Sequence, residues 1–215
     1  MRELLRSNPG LKAIMAVTGL IWVGYLITHV AANLLVLTGP TLINRYSALI
    51  HGQPAILYGA RAVLFVAIVL HVWAAWTLTR RARAARPVGY GRQDPQVSTI
   101  ASRTMRIGGI VVLAFLVYHI LHFTLGTVHP SFAHGNPYLN VVTAFRNPLI
   151  VLIYEIAMVA VGLHLFHGTW SSFRSLGLVK PSLHPLRHRA SLLVAGAIWL
   201  GFAVIPILVL AGVGR

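Results

Sequence analysis

Val161-Gly-Leu-His-Leu-Phe-His-Gly-Thr-Trp170 places two histidines, His164 and His167, near the end of an apolar run long enough to cross a bilayer. An ionisable side chain inside a membrane helix is costly and is usually kept for a function. Three other apolar runs carry histidines at comparable depth: His29, His71 and the pair His119/His122. Four helices, each turning one imidazole position inward, describe two metal centres with two axial nitrogens apiece.

Composition agrees with a membrane location. Of the 215 residues, 57% are hydrophobic and only 10% are charged, where a soluble domain carries about 25% charged residues. The reading is an all-α membrane protein, one cytochrome-like bundle over residues 1–215. The 18 Lys and Arg face only 3 acids, a net charge of +15. Nucleic-acid binding is set aside, because the basic residues sit in short loops between spans, where the positive-inside rule puts them. There is no cysteine. That excludes Cys-ligated iron–sulfur clusters, covalently attached haem and disulfides within this chain.

A helix needs roughly 20 apolar residues to cross the hydrocarbon core. Five segments qualify, at about 11–37, 55–79, 104–127, 148–173 and 190–213 (helices I to V). Helix I is expected to be retained rather than cleaved: it is too long for a signal-peptide core and lacks a small-x-small cleavage site. Thr38-Gly-Pro40 reads as its breaker, and Pro148 suits the first turn of helix IV. The outer connection from Val128 to Asn147 reads as a loop with room for a short surface helix. Pro87-Val-Gly-Tyr-Gly-Arg92 reads as an ordered turn on the other side.

Loop charge gives the orientation. Arg2, Arg6, Lys12, Arg80, Arg81, Arg83, Arg86, Arg92, Arg103, Arg106, Arg174, Lys180, Arg187 and Arg189 fall on one side, and Arg45, Arg61, Arg146 and Arg215 on the other, fourteen and four of the 18. A cytoplasmic N-terminus follows, in a cytoplasmic (inner) membrane.

Depth pairs the histidines. His71 lies nine residues before Arg80 and His167 seven before Arg174, both in the cytoplasmic half. His29 lies nine residues before Thr38, and His119 thirteen after Arg106, both farther out. The expected pairs are His71 with His167 and His29 with His119. An interhelical hydrogen bond is the plain alternative for any one of them, and four at two matched depths weakens it. His119/His122 and His164/His167 are each three apart, so both members face one side and depth does not choose between them. The unused member would meet a haem propionate, a quinone or a neighbouring helix. Gly19 and Gly109 each precede a histidine, His29 and His119, by ten residues. Ten residues are about 15 Å of helix, so each glycine offers a bare spot one level deeper, where a flat macrocycle fits. This favours His119 over His122, and Gly168 favours His167 over His164.

Two more polar positions stand within the spans. Glu155 and Arg61, both in the outer half, are candidates for proton or quinone handling, against the plainer roles of helix pairing and snorkelling. Helix V has no intramembrane ionisable residue and is expected to close the bundle.

The pattern Gly19-x9-His29, His71-Val-Trp73, Ala85-Arg-Pro-x-x-Tyr90, Gly109-x9-His119 and His167-Gly-Thr-Trp-Ser-Ser-Phe-Arg-Ser-Leu-Gly177 resembles the single-chain, five-helix, di-haem cytochrome b subunit of succinate dehydrogenases and fumarate reductases. The similarity runs along essentially the whole chain. It implies two haem b groups, between His29 and His119 and between His71 and His167, with Arg174 near the inner propionates. It implies a flavoprotein subunit holding FAD and an iron–sulfur subunit on the cytoplasmic face. This chain would then be a non-catalytic-head subunit that passes their electrons to a quinone, with menaquinone expected. Some members carry a glutamate two residues before the helix IV ligand; here that position is Leu165, so that proton route is not carried over. The competing readings are the cytochrome b anchor of a hydrogenase or formate dehydrogenase, and a haem-free anchor or transporter.

Overall fold

The computed structural model describes residues 7–85, 100–178 and 184–214. The turn expected at Pro87–Arg92 lies outside them, as do Arg2, Arg6, Lys180 and Arg215. The described residues form seven α-helices and no strand: α1 (Asn8–Leu34), α2 (Pro40–His51), α3 (Pro54–Ala84), α4 (Ile100–His119), α5 (Pro137–Phe145), α6 (Pro148–Ser175) and α7 (His184–Leu210). A 3-10 turn, Leu35–Thr38, extends α1, and a π-helical turn, Ile120–Thr124, extends α4. Five helices are long and apolar enough to cross a membrane: α1, α3, α4, α6 and α7. They are helices I to V of the sequence.

Local chemistry places the ends. Ser7 caps α1 by accepting from the Gly10 amide at 3.1 Å. Asn147 caps α6 by accepting from Leu149 at 2.9 Å, with Pro148 in the first turn, where its missing N–H costs nothing. Gly39, at φ 102°, turns the chain between the 3-10 extension and α2. Pro40 therefore starts a helix as well as ending one. The stretch after it, given no element from sequence, is the 12-residue helix α2. Its Asn44 amide donates to Asn136 at 3.1 Å, and its Asn44 oxygen accepts from the Tyr138 amide at 3.2 Å. Asn136 is also the cap of α5. The two short helices thus form one joined layer at the end of the bundle away from the Arg80–Arg106 side.

Packing is uneven. α6 sits at the centre, against α1, α4 and α7, while α3 packs mainly on α1. One apolar cluster joins α1, α6 and α7 through Val30, Ala157, Val161, Leu165, Ala195 and Ile198. A second, farther out, joins α5, α6 and α7 around Phe145, Val151, Tyr154, Ile205 and Val209. By contrast only Ala67 and Ala74 are buried on α3, and only Ala101 on α4. A cleft lined by Ile68, Val69, Val72, Trp73, Trp76 and Leu113 lies between those two helices. The bundle is tight on the α6–α7 side and open on the side where α3 and α4 bring their histidines.

Candidate haem sites

Histidines from four spans meet in two pairs. At one level, the outer one in the orientation expected from loop charge, the rings of His29 (α1) and His119 (α4) stand 6.0 Å apart, centre to centre and nearly perpendicular. At the inner level His71 (α3) and His164 (α6) stand 6.2 Å apart. A metal bound to one nitrogen of each ring at about 2 Å would hold the centres roughly 6 Å apart, so both separations suit an ion between the rings.

The inner pair differs from the sequence expectation in one member. His164, not His167, comes opposite His71. The His167 ring instead lies edge-on to Trp170, at 6.3 Å. The two histidines are three residues apart, a rotation of about 60°, and that angle decides which one enters the interior. Gly168 supports His164 rather than the adjacent His167. It lies four residues after His164, on the same face, and lines the cavity around His164 with Gly19, His71, Met105, Thr169 and Ser172.

The two glycines face the inner pair. A methyl group on Gly19 would sit 3.2 Å from Cε1 of His71, and one on Gly109 3.5 Å from Cε1 of His164. Each glycine therefore makes room, one level below its own helix's histidine, for a ring from the neighbouring helix.

Hydrogen bonds orient the rings. The Thr18 hydroxyl donates to the Ile14 carbonyl at 2.7 Å, so its oxygen accepts from Nδ1 of His71 at 3.2 Å. A neutral imidazole protonated on Nδ1 keeps its lone pair on Nε2, the form that binds a metal. His29 has the Tyr25 hydroxyl 3.4 Å and the Asn33 amide 3.3 Å from Nδ1. Tyr154 Oη lies 3.5 Å from Nδ1 of His119 and 2.9 Å from Nδ1 of His122. Nδ1 of His164 is buried with no partner among the described residues.

The remaining candidates are scattered. His122 is wholly buried and stacks on Tyr118. Glu155 is half-buried, with one carboxylate oxygen unpartnered. Arg61 is exposed, its guanidinium 5.5 Å from the Tyr58 ring, and Arg174 is exposed, 5.9 Å from the Trp170 ring. Among the described residues, no three His, Cys, Asp or Glu side chains gather as a metal cage.

Sequence reasoning passed over Thr18, Tyr25, Asn33 and Tyr154. Tyr25 and Asn33 carried a signal, since each lies four residues from His29 on one helix face. Thr18 and Tyr154 reach across to other helices, and only the rotation of the packed spans reveals that.

Residues 80–204, well over half of the chain, match the model of the succinate dehydrogenase/fumarate reductase transmembrane subunit family. The chain belongs to this family. As a transmembrane subunit of succinate dehydrogenase/fumarate reductase it is a multi-pass membrane protein that associates with the other subunits of its complex. The matched region holds His119, His122, Tyr154, His164 and His167, while His29 and His71 precede it. No curated protein and no solved structure gives a significant match.

Proposed function

We propose that this subunit carries electrons from an iron–sulfur subunit, bound on the Arg80–Arg106 side, through two b haems to a quinone in the membrane. The observation that carries this is the meeting of imidazoles from four separate spans in two facing pairs, 6.0 and 6.2 Å apart. The outer haem takes His29 and His119, and the inner haem His71 and His164. Each haem, when bound, takes up and releases one electron at a time. The residues do the rest. The four imidazoles would supply the protein ligands to the two irons. Thr18 and Tyr154 fix ring orientation. Gly19 and Gly109 leave room for the rings of His71 and His164. Ser172 and Thr169 line the inner cavity, and Arg174, at the inner end of α6, balances propionate charge.

The positive-inside count puts the N-terminus and the α3–α4 connection in the cytoplasm, where the flavoprotein and iron–sulfur subunits would dock. Quinone reduction consumes two protons. The outer half holds the unpartnered Glu155 carboxylate oxygen and the histidines of the α4–α5 connection, so the quinone, menaquinone by preference, is placed at the outer haem. Electrons then move outward across the membrane.

An optical spectrum of the purified subunit tests the reading directly: two low-spin b haems per chain are expected. His29→Ala or His119→Ala should remove the outer haem alone, and His71→Ala or His164→Ala the inner alone. His167→Ala should keep both. A haem-free chain defeats the proposal. Loss of the inner haem in His167→Ala with retention in His164→Ala moves the inner ligand to His167.

A further inference from the structure

Behind His71 the hydrogen bonds end on the Ile14 carbonyl of the neighbouring helix, through Thr18, whereas behind His119 they run from Tyr154 on to a second histidine, His122. Tyr154 is 5% exposed and His122 fully buried, and the 2.9 Å contact between them is the shorter of the two made by the Tyr154 hydroxyl. The His122 ring lies 5.0 Å from the His129 ring, which is anchored by Nε2 to the Asn140 carbonyl of α5 at 3.0 Å. The backbone shows a matching irregularity. Directly after His119 the helix widens to a π turn, closed by the Leu125 amide on the Ile120 carbonyl at 2.9 Å. Such turns often mark functional sites.

The protons in this chain can run in one direction only if His119 is a ligand. Binding through Nε2 puts the ring proton on Nδ1, which donates to Tyr154. The tyrosine hydroxyl then donates to Nδ1 of His122, and His122 carries its own proton on Nε2. The reverse order would protonate Nε2 of His119 and block the metal.

We propose that Tyr154 is a positioning residue for the outer haem ligand, accepting from His119 and donating to His122, so that the outer loop and α5 set that ligand's orientation and electron donation. This rests on the reading of His119 as a ligand. A partner that accepts from a ligand's N–H raises the basicity of the imidazole and favours ferric iron. Removing it therefore raises the reduction potential.

The test uses the whole complex, with redox titration and electron paramagnetic resonance of each haem. In Tyr154→Phe the outer haem should be reduced about tenfold more readily, a rise of about 59 mV for a one-electron couple. Its largest g value should move, and the inner haem should not change. His122→Leu, which strips Tyr154 of its acceptor, should shift the outer haem the same way. His122→Asn, whose amide oxygen can stand where Nδ1 was, should restore it. Unchanged outer potential and g values in Tyr154→Phe, with both haems present, overturn the proposal. If Tyr154→Phe does not assemble, equal outer potentials in His122→Leu and His122→Asn overturn it. A His119→Ala variant that keeps both haems would instead overturn the ligand assignment.

Discussion

Gly19 and Gly109 look equivalent in sequence, and the structure predicts that substituting them has different consequences. Carbon atoms in good contact sit about 3.5–4.0 Å apart. A methyl group at Gly109 would meet Cε1 of His164 at 3.5 Å, within that range, but one at Gly19 would meet Cε1 of His71 at 3.2 Å. In Gly19→Ala the His71 ring must give by a few tenths of an ångström while Thr18 holds its Nδ1 at 3.2 Å. Turning a side chain off its rotamer costs about 0.5–1.5 kcal/mol, and replacing a helical glycine by alanine returns about 1 kcal/mol. Gly19→Ala should therefore leave thermal stability nearly unchanged while shifting the resonance signature of the inner haem. Gly109→Ala should keep both signatures and gain up to about 1 kcal/mol. Gly19→Leu adds three further carbons against the ring. Overpacking of that kind costs about 1–3 kcal/mol, here concentrated on one ligand, and should abolish the inner haem while sparing the outer. Haem per chain, low-spin signals and melting in detergent read all of this. An intact inner signal in Gly19→Leu, or loss of the outer signal in its place, would refute the reasoning.

Other outcomes are expected of the same structure. Thr18→Val leaves Nδ1 of His71 without an acceptor, and loss of such a partner costs roughly 10–100-fold in affinity; haem titration of the variant should show weakened inner binding with outer binding unchanged. Arg80, Arg83, Arg103 and Arg106 are exposed, and replacing all four by glutamate should weaken assembly with the soluble subunits at low salt. Wild-type assembly should itself weaken as salt rises, because the Debye length falls from about 10 Å at 0.1 M to about 3 Å at 1 M; co-purification across a salt series checks both. Moving one charge across the full potential is worth about 2.3 kcal/mol per 100 mV. An inside-negative potential should therefore assist outward electron flow, and an uncoupler should slow succinate-driven quinone reduction in sealed vesicles. A rate unchanged by the uncoupler would place the quinone at the inner haem, where reduction moves no charge across the membrane.

The five spans are legible because hydropathy over 20 residues is a strong signal that no packing detail can erase. The short helices are not. α2 and α5 have 12 and 9 residues, begin at prolines, and follow Gly39 and Asn136, so the same residues that start them read as a break or a loop. The level of each histidine was also legible, since it needs only the rise per residue. The choice within His164/His167 was not, because both lie at nearly one depth and differ by rotation. His164, ten residues before Arg174, in fact matches the nine between His71 and Arg80 better than His167 does. Thr18 and Tyr154 were invisible for a related reason: each acts on another helix, and contacts between helices follow from how the spans turn against one another.

A step of ten residues, about 15 Å of helix, connects the two levels in the four spans that supply the paired histidines. On α1 and α4 it leads from Gly19 to His29 and from Gly109 to His119. α3 and α6 run the other way across the bundle, and there it leads from Arg61 to His71 and from Tyr154 to His164. On α6 the residue one step outward from the inner-level histidine is thus the tyrosine that meets His119. Counted from His167 the step lands instead on Ala157, in the apolar cluster shared with α1 and α7. Exchanging His167 for His164 opposite His71 would turn α6 by about 60°, and the same turn would carry Tyr154 away from His119 and His122. The inner ligand and the outer support therefore depend on one rotation of one helix. The spectrum of His164→Ala and the outer potential of Tyr154→Phe should both respond, or neither should.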